Sequence, residues 1–144
     1  MNADYPNPSQ MSEVCACLGL NRAARGTTRR YDAAFKPLGI TSGQFTVLVA
    51  LKRPAPAPLG KLAAALGMDR TTLNRNVRLL EKAGLVETVA DGEDARVRRL
   101  ALTASGDAKL QAAIPCWQGV QLQTQARLPG EPWAEFCGRL AALA

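Results

Sequence analysis

Histidine is absent from the 144-residue sequence. With it go the usual general base at neutral pH, the imidazole of a nucleophilic triad and the commonest metal ligand. Four cysteines are present, Cys15, Cys17, Cys116 and Cys137, but no Cys-x-x-Cys pair accompanies them, so a structural zinc site lacks its signature. A chain of this length also has no need of a disulfide scaffold. No apolar run approaches the roughly 18 uninterrupted residues that a membrane span requires. The opening MNADYPNPSQMSEV has no basic region followed by an apolar one. Most hydrolase mechanisms are thereby poor fits, and the expectation is a cytoplasmic protein that needs no cofactor, holds no metal and catalyses no reaction.

What the chain does have is enough apolar residue to build one core, 47% against 21% charged. Eighteen Lys and Arg stand against twelve Asp and Glu, a net charge of +6, which favours a polyanionic partner. Residues 1–10 carry Pro6 and Pro8 without periodicity and read as a disordered tail. Residues 11–57 read as N-terminal helices for dimerisation and support. With Ser12 as N-cap, Val14, Cys17, Ala24, Thr28, Tyr31 and Phe35 recur at steps of three or four and predict one helix. Pro37 and Gly39 stop it, and Thr41-x-x-Gln44 is a capping box that starts a second. The run PAPAP up to Pro58 marks a stiff connector.

Residues 58–103 are the most informative. Leu59, Leu62, Ala63 and Leu66 trace a short amphipathic helix, Gly67 suits its left-handed stop, and Asp69 can cap a following helix after a brief turn. That second helix places Leu73, Val77 and Leu80 on one face and Arg70, Thr71, Asn74, Arg75 and Arg78 on the other. LVETV, a turn-rich acidic ADGEDA and RVRRLAL then read as a β-hairpin with a polar tip. The order helix-turn-helix then hairpin is that of a winged helix, with guanidinium groups, an amide and a hydroxyl where a groove-reading face needs them. A solvated polar face is the bland alternative, and the adjoining glycine turn and basic hairpin weigh against it. Residues 104–144 read as C-terminal dimerisation helices. Thr103 caps the first, which Pro115 is expected to kink, and Trp133, Phe136, Cys137 and Leu140 stripe the second. The fold class is therefore mainly α with a small β-hairpin wing: a winged helix-turn-helix between terminal dimerisation helices.

DRTTLNRNVRLLEKAGLV, residues 69 to 86, resembles the recognition helix and exit turn of the MarR family of transcriptional regulators, and DGEDARVRRLALTASG, residues 91 to 106, resembles its wing and the start of the next helix. Asp94 and Arg96 match the family's Asp-x-Arg, and Leu102, Thr103 and Gly106 its Leu-Thr-x-x-Gly. LNRAARGTTRRYDAAFKPLGITSGQF is similar to the family's first two helices. The resemblance implies a homodimer interlocked through the first, fifth and sixth of six helices, with two winged helices reading double-stranded DNA at a palindromic operator. The expected DNA contacts are Arg70, Thr71, Asn74, Arg75, Arg78, Asp94, Arg96 and Arg98, with Arg96 entering the minor groove.

The resemblance further implies a repressor released by a small aromatic or anionic ligand, or by cysteine oxidation. For the ligand it points to Tyr31, Phe35 and Phe45, with Arg25 or Arg29 to pair the anion. For oxidation it points to Cys17 with Tyr31, although Ser42 stands where the peroxide-sensing branch has a second tyrosine. Two positions apart in a helix, Cys15 and Cys17 would point about 200° apart and could not readily bridge; the bland alternative is that all four cysteines are buried. Two rivals of other classes are a winged-helix protein interaction module that does not read DNA and a small thiol enzyme, for which no activating base is evident.

Overall fold

The computed structural model describes residues 10–90, 98–130 and 132–143. The tail assigned to residues 1–10 lies outside them but for Gln10, and so does the wing tip that carries Asp94 and Arg96. Seven α-helices and three strands are found among the described residues. A short helix α1 (Met11–Val14) precedes α2 (Ala16–Phe35), followed by a 3-10 turn at Lys36–Leu38 and α3 (Ser42–Leu51). Strand β1 (Ala57–Pro58), α4 (Leu59–Leu66), α5 (Arg70–Lys82), β2 (Val86–Ala90) and β3 (Arg98–Leu102) form the winged region, and α6 (Ala104–Gln125) and α7 (Trp133–Ala141) close the chain.

The expected first helix is interrupted. Gln10, not Ser12, precedes α1, and Cys15 is extended at φ −95°, ψ 105° before α2 begins. Cys15 therefore lies outside the helix that holds Cys17, and the 200° argument does not apply to the pair. At Thr41 the capping box is complete: its hydroxyl accepts the Gln44 N–H at 3.3 Å and the Gln44 side chain accepts the Thr41 N–H at 2.9 Å. Asp32 on α2 also accepts the Ser42 N–H at 2.7 Å, which ties α3 to α2 at its start. Helix α3 buries Gln44, Phe45, Val47, Leu48 and Leu51, so it is covered on most sides and forms the centre of the molecule.

The connector does more than link. Ala57 and Pro58 pair antiparallel with Leu100 and Arg99, making a third strand in the order β1-β3-β2 where sequence reading anticipated a two-stranded hairpin. A proline is tolerated there because β1 is an edge strand. On the other side of β3, Val86 pairs with Leu102 and Thr88 with Leu100, so Val86 and the fully buried Leu100 turn toward the core.

Helix α6 runs through Pro115 to Gln125 without ending. Proline cannot donate to the carbonyl four residues back, but that residue, Gln111, is exposed, and water can take the orphaned oxygen. Helix α6 packs along α2, where the Tyr31 hydroxyl donates to Gln121 at 2.6 Å, and Lys109 on its first half donates to the Leu38 carbonyl at 2.9 Å. Helix α7 buries none of its residues; Trp133 and Phe136 contact each other at 5.2 Å between ring centroids. No helix among the described residues is long and apolar enough to cross a membrane.

Candidate nucleic-acid interface

Helix α5 is held by its buried face and presents the other. Leu73, Val77 and Leu80 are each 1% exposed. Its start is fixed by Asp69, whose carboxylate accepts the Thr72 N–H at 2.8 Å and the Thr72 hydroxyl at 2.6 Å. These bonds, the hydroxyl's first, hold the Asp69 carboxyl below its ordinary pKa. The turn from α4 is made by Gly67 at φ +59°, a left-handed conformation that lets the Met68 N–H return to the Ala63 carbonyl at 3.1 Å. Helix α3 crosses α5 at Gly43, where a side-chain carbon would stand 3.0 Å from the Asn76 amide nitrogen. A larger residue would press on α5.

On the outer face Arg70, Thr71, Arg75 and Arg78 are exposed and Asn74 is half-buried. Thr71, Asn74, Arg75 and Arg78 line one shallow groove, and Arg70 and Asn74 line a second, against Pro58–Gly60. None of the three arginines pairs with a carboxylate among the described residues. The five α5 residues singled out from sequence are thus brought together on one accessible surface.

Arg98 behaves differently. Its guanidinium donates to Glu81 Oε1 at 3.1 Å and to Thr88 Oγ1 at 3.1 Å, while the Thr88 hydroxyl donates to the same Glu81 oxygen. Glu81 and Thr88 were not anticipated as part of the site. The signal was there in the hairpin register: Thr88 and Arg98 lie on the strand face that meets the last turn of α5, and a carboxylate in a last turn opposes the helix dipole unless a cation neutralises it.

Beyond the wing, the exit of α5 is locked to α6. Thr103 caps α6 by accepting the Gly106 N–H at 3.0 Å, and its own hydroxyl donates to the Gly84 carbonyl at 2.7 Å. The Leu85 carbonyl accepts the Thr103 N–H at 3.2 Å and sits so close over Gly106 that any side-chain carbon there would collide with it. The Leu-Thr-x-x-Gly run is therefore a joint between the DNA-facing unit and the long helix behind it.

These features have counterparts in known proteins. A family model described as MarR family matches residues 38–97. The transcriptional regulator MosR of M. tuberculosis, solved in complex with DNA, is 40% identical, with 90% of this chain and 92% of that one covered at a TM-score of 0.80. The chain belongs to the MarR family. The repressor NicR of Pseudomonas putida is 38% identical over 96 residues, covering 64% of this chain and 61% of that protein. BpsR of Bordetella bronchiseptica, whose DNA binding is regulated by 6-hydroxynicotinic acid, is 25% identical with 95% of each chain covered and a TM-score of 0.76. Matches to curated proteins span 61% to 66% of those proteins' length.

For this MarR-family chain the residues singled out for a ligand divide. Phe35 and Phe45 are core, 0% and 7% exposed and stacked at 4.7 Å, and line no cavity. Arg25 and Arg29 are exposed on α2 away from those rings. Tyr31 instead lines a cleft of about 820 Å³ between α2, α6 and α7, together with Leu20, Trp133, Phe136 and Leu140. Its phenol pKa is raised by burial, against the pull of the neighbouring Arg30 cation. Arg30, rather than Arg25 or Arg29, is the arginine beside it. One Arg30 terminal nitrogen donates to Thr27 at 3.1 Å, and its Nε is buried without a partner among the described residues. Arg22 and Arg127 also border the cleft, and no carboxylate does.

The cysteines are not all buried. Cys17 and Cys137 are exposed and Cys15 and Cys116 half-buried, all four as free thiols. The Cys17 sulfur accepts from the Asn21 amide at 3.3 Å. Tyr31 lies fourteen residues further along the same helix, about 21 Å at 1.5 Å per residue, too far to touch Cys17 of its own chain.

Proposed function

We propose that this protein is a homodimeric, sequence-specific DNA-binding repressor without enzymatic activity, released from its operator by a small anionic aromatic ligand. The observation that carries the reading is the outer face of α5, where Arg70, Thr71, Asn74, Arg75 and Arg78 stand together, accessible and without carboxylate partners among the described residues, on a helix rigidly seated by Leu73, Val77 and Leu80. Set in a major groove, Arg75 and Arg78 can donate to guanine edges or phosphates, and Asn74 and Thr71 to other base edges. Asp94 and Arg96 belong to the wing on the family motif, with Arg96 in the adjoining minor groove.

The homodimer reading is supported by apolar surface that the chain leaves open on α2, α6 and α7: Leu20, Trp117, Leu122 and Leu140 are 41%, 37%, 67% and 41% exposed. A two-fold axis through these helices would present two α5 faces to half-sites about ten base pairs apart. Ligand release is supported by the cleft on the same helices. An anionic ring seated against Trp133 and Phe136 would meet Arg22, Arg30 and Arg127 at a place where occupancy alters how two subunits meet, and with it the spacing of the α5 helices.

The test is a mobility shift with promoter DNA from beside the protein's own gene, repeated across salt concentrations. Binding should be sequence-selective, with log affinity falling linearly as log salt rises. Absence of selective binding would remove the reading in favour of a protein interaction module. Addition of aromatic carboxylates, with 6-hydroxynicotinic acid among the probes, should release the DNA.

A further inference from the structure

Glu81, Thr88 and Arg98 form a closed set of contacts between three elements: the last turn of α5, β2 and β3. Each member touches the other two. Glu81 accepts from both partners and Thr88 bridges them. Arg98 spends on Glu81 and Thr88 the terminal nitrogen that would otherwise meet a phosphate, and its Nη2 also lies 3.4 Å from the second Glu81 oxygen. Side-chain exposure falls from 45% at Arg98 to 27% at Glu81, so the carboxylate is the more enclosed end of the pair. Arg98 also walls the groove that holds Arg70 and Asn74, which places this set directly beside the DNA-facing surface.

We propose that Glu81, Thr88 and Arg98 are positioning residues that clamp the wing to the recognition helix, so that helix and wing engage the duplex at a fixed angle, and that Arg98 acts through Glu81 rather than as a direct DNA contact. The proposal rests on the DNA-binding reading of the same face. Its logic is electrostatic as well as geometric. Alone, Glu81 would be an anion facing a polyanion and at the unfavourable end of a helix dipole; paired with Arg98 it is neutralised, and the pairing fixes β3 against α5. Thr88 supplies what a bare ion pair lacks, a hydroxyl that fixes the orientation of both charged groups.

The two roles for Arg98 predict opposite signs for one substitution. If Arg98 were a DNA contact restrained by Glu81, Glu81→Gln would free it, remove a negative charge and tighten binding. If the three residues are a clamp, Glu81→Gln should weaken operator binding by about two- to fivefold, the range for one partly exposed ion pair. Arg98→Gln should weaken it by a similar factor, and the double variant should be no worse than either single one, because both remove the same interaction. A DNA-free readout accompanies these measurements: amide hydrogen exchange along the β2–β3 ladder should speed up in Glu81→Gln while exchange in α3 is unchanged. Tighter binding by Glu81→Gln, or additive losses in the double variant, or an unaltered ladder would overturn the clamp. Failure of the unsubstituted protein to bind any DNA would instead overturn the DNA-binding reading, and the exchange experiment would still decide whether the wing is held as described.

Discussion

Helices α5 and α7 are both amphipathic, yet they end in different circumstances. In α5 the apolar stripe of Leu73, Val77 and Leu80 disappears entirely into the chain's own core, and the polar stripe is left for another molecule. In α7 the stripe of Trp133, Phe136 and Leu140 finds only partial cover, and no residue of the helix is buried. One helix has its fold satisfied within the chain and exposes its chemistry; the other exposes the part that normally drives folding. Substitutions on the two apolar stripes should therefore have different consequences, although the stripes look alike in sequence.

The largest effect is expected where the chain is closed on itself. Leu80→Ala should cost about 2–5 kcal/mol, because the side chain is 1% exposed and the space it leaves cannot readily collapse between α5 and the sheet. Urea unfolding followed by circular dichroism would show it. Trp133→Ala combined with Phe136→Ala should act elsewhere, shifting sedimentation toward the monomer while the unfolding of the winged region changes by a smaller amount. Equal losses of core stability from both sets would erase the contrast between the helices.

Next in size is the loss at the exposed face of α5. Arg75→Ala should remove base-edge contacts worth about 1–3 kcal/mol and relax preference among operator variants. Arg96→Ala on the wing should weaken operator and scrambled DNA alike and lower the salt dependence, since a minor-groove arginine senses potential and width. Affinities for both DNAs at two salt concentrations separate these outcomes. Uniform weakening by Arg75→Ala would take that arginine off the base edges.

The same contrast explains what could be read in advance. Helices α4 and α5 were legible to the residue, because a left-handed glycine, an Asp cap and a clean apolar stripe all agree locally. Helix α3 was harder to delimit by periodicity because it is buried on most sides and has almost no polar face. Strand β1 was invisible, since two residues are too short for alternation and both depend on β3 for their identity as strand. The break at Cys15 had no local marker. At the candidate site the α5 face was legible for the reason that made its helix legible. Glu81 and Thr88 were not, because their role exists only once hairpin register and helix end are brought together. The ligand residues Phe35 and Phe45 show the reverse error: aromatic side chains near a helix junction satisfy a core as readily as a pocket, and here the core took them.

The smallest effect concerns how α5 begins. Asp69 holds its carboxyl below the ordinary range by accepting the Thr72 hydroxyl and the Thr72 N–H, bonds that favour the charged form. A carboxyl whose pKa is lower folded than unfolded contributes stability that is complete above the unfolded pKa and is lost as pH falls through the folded one. Acid should therefore fray the N-terminus of α5 first, and it is there that Arg70 and Thr71 stand. Asp69→Asn keeps an acceptor for the Thr72 N–H but removes the titration, so its melting temperature should fall less steeply than that of the unsubstituted protein as pH drops below the carboxylate range. Thr72→Val should flatten the same dependence in part, because it deletes the hydroxyl bond and leaves the backbone one. Parallel acid profiles for all three proteins would mean that the cap is formed without preference for the charged carboxylate, and that the entry of α5 is held by the Gly67 turn alone.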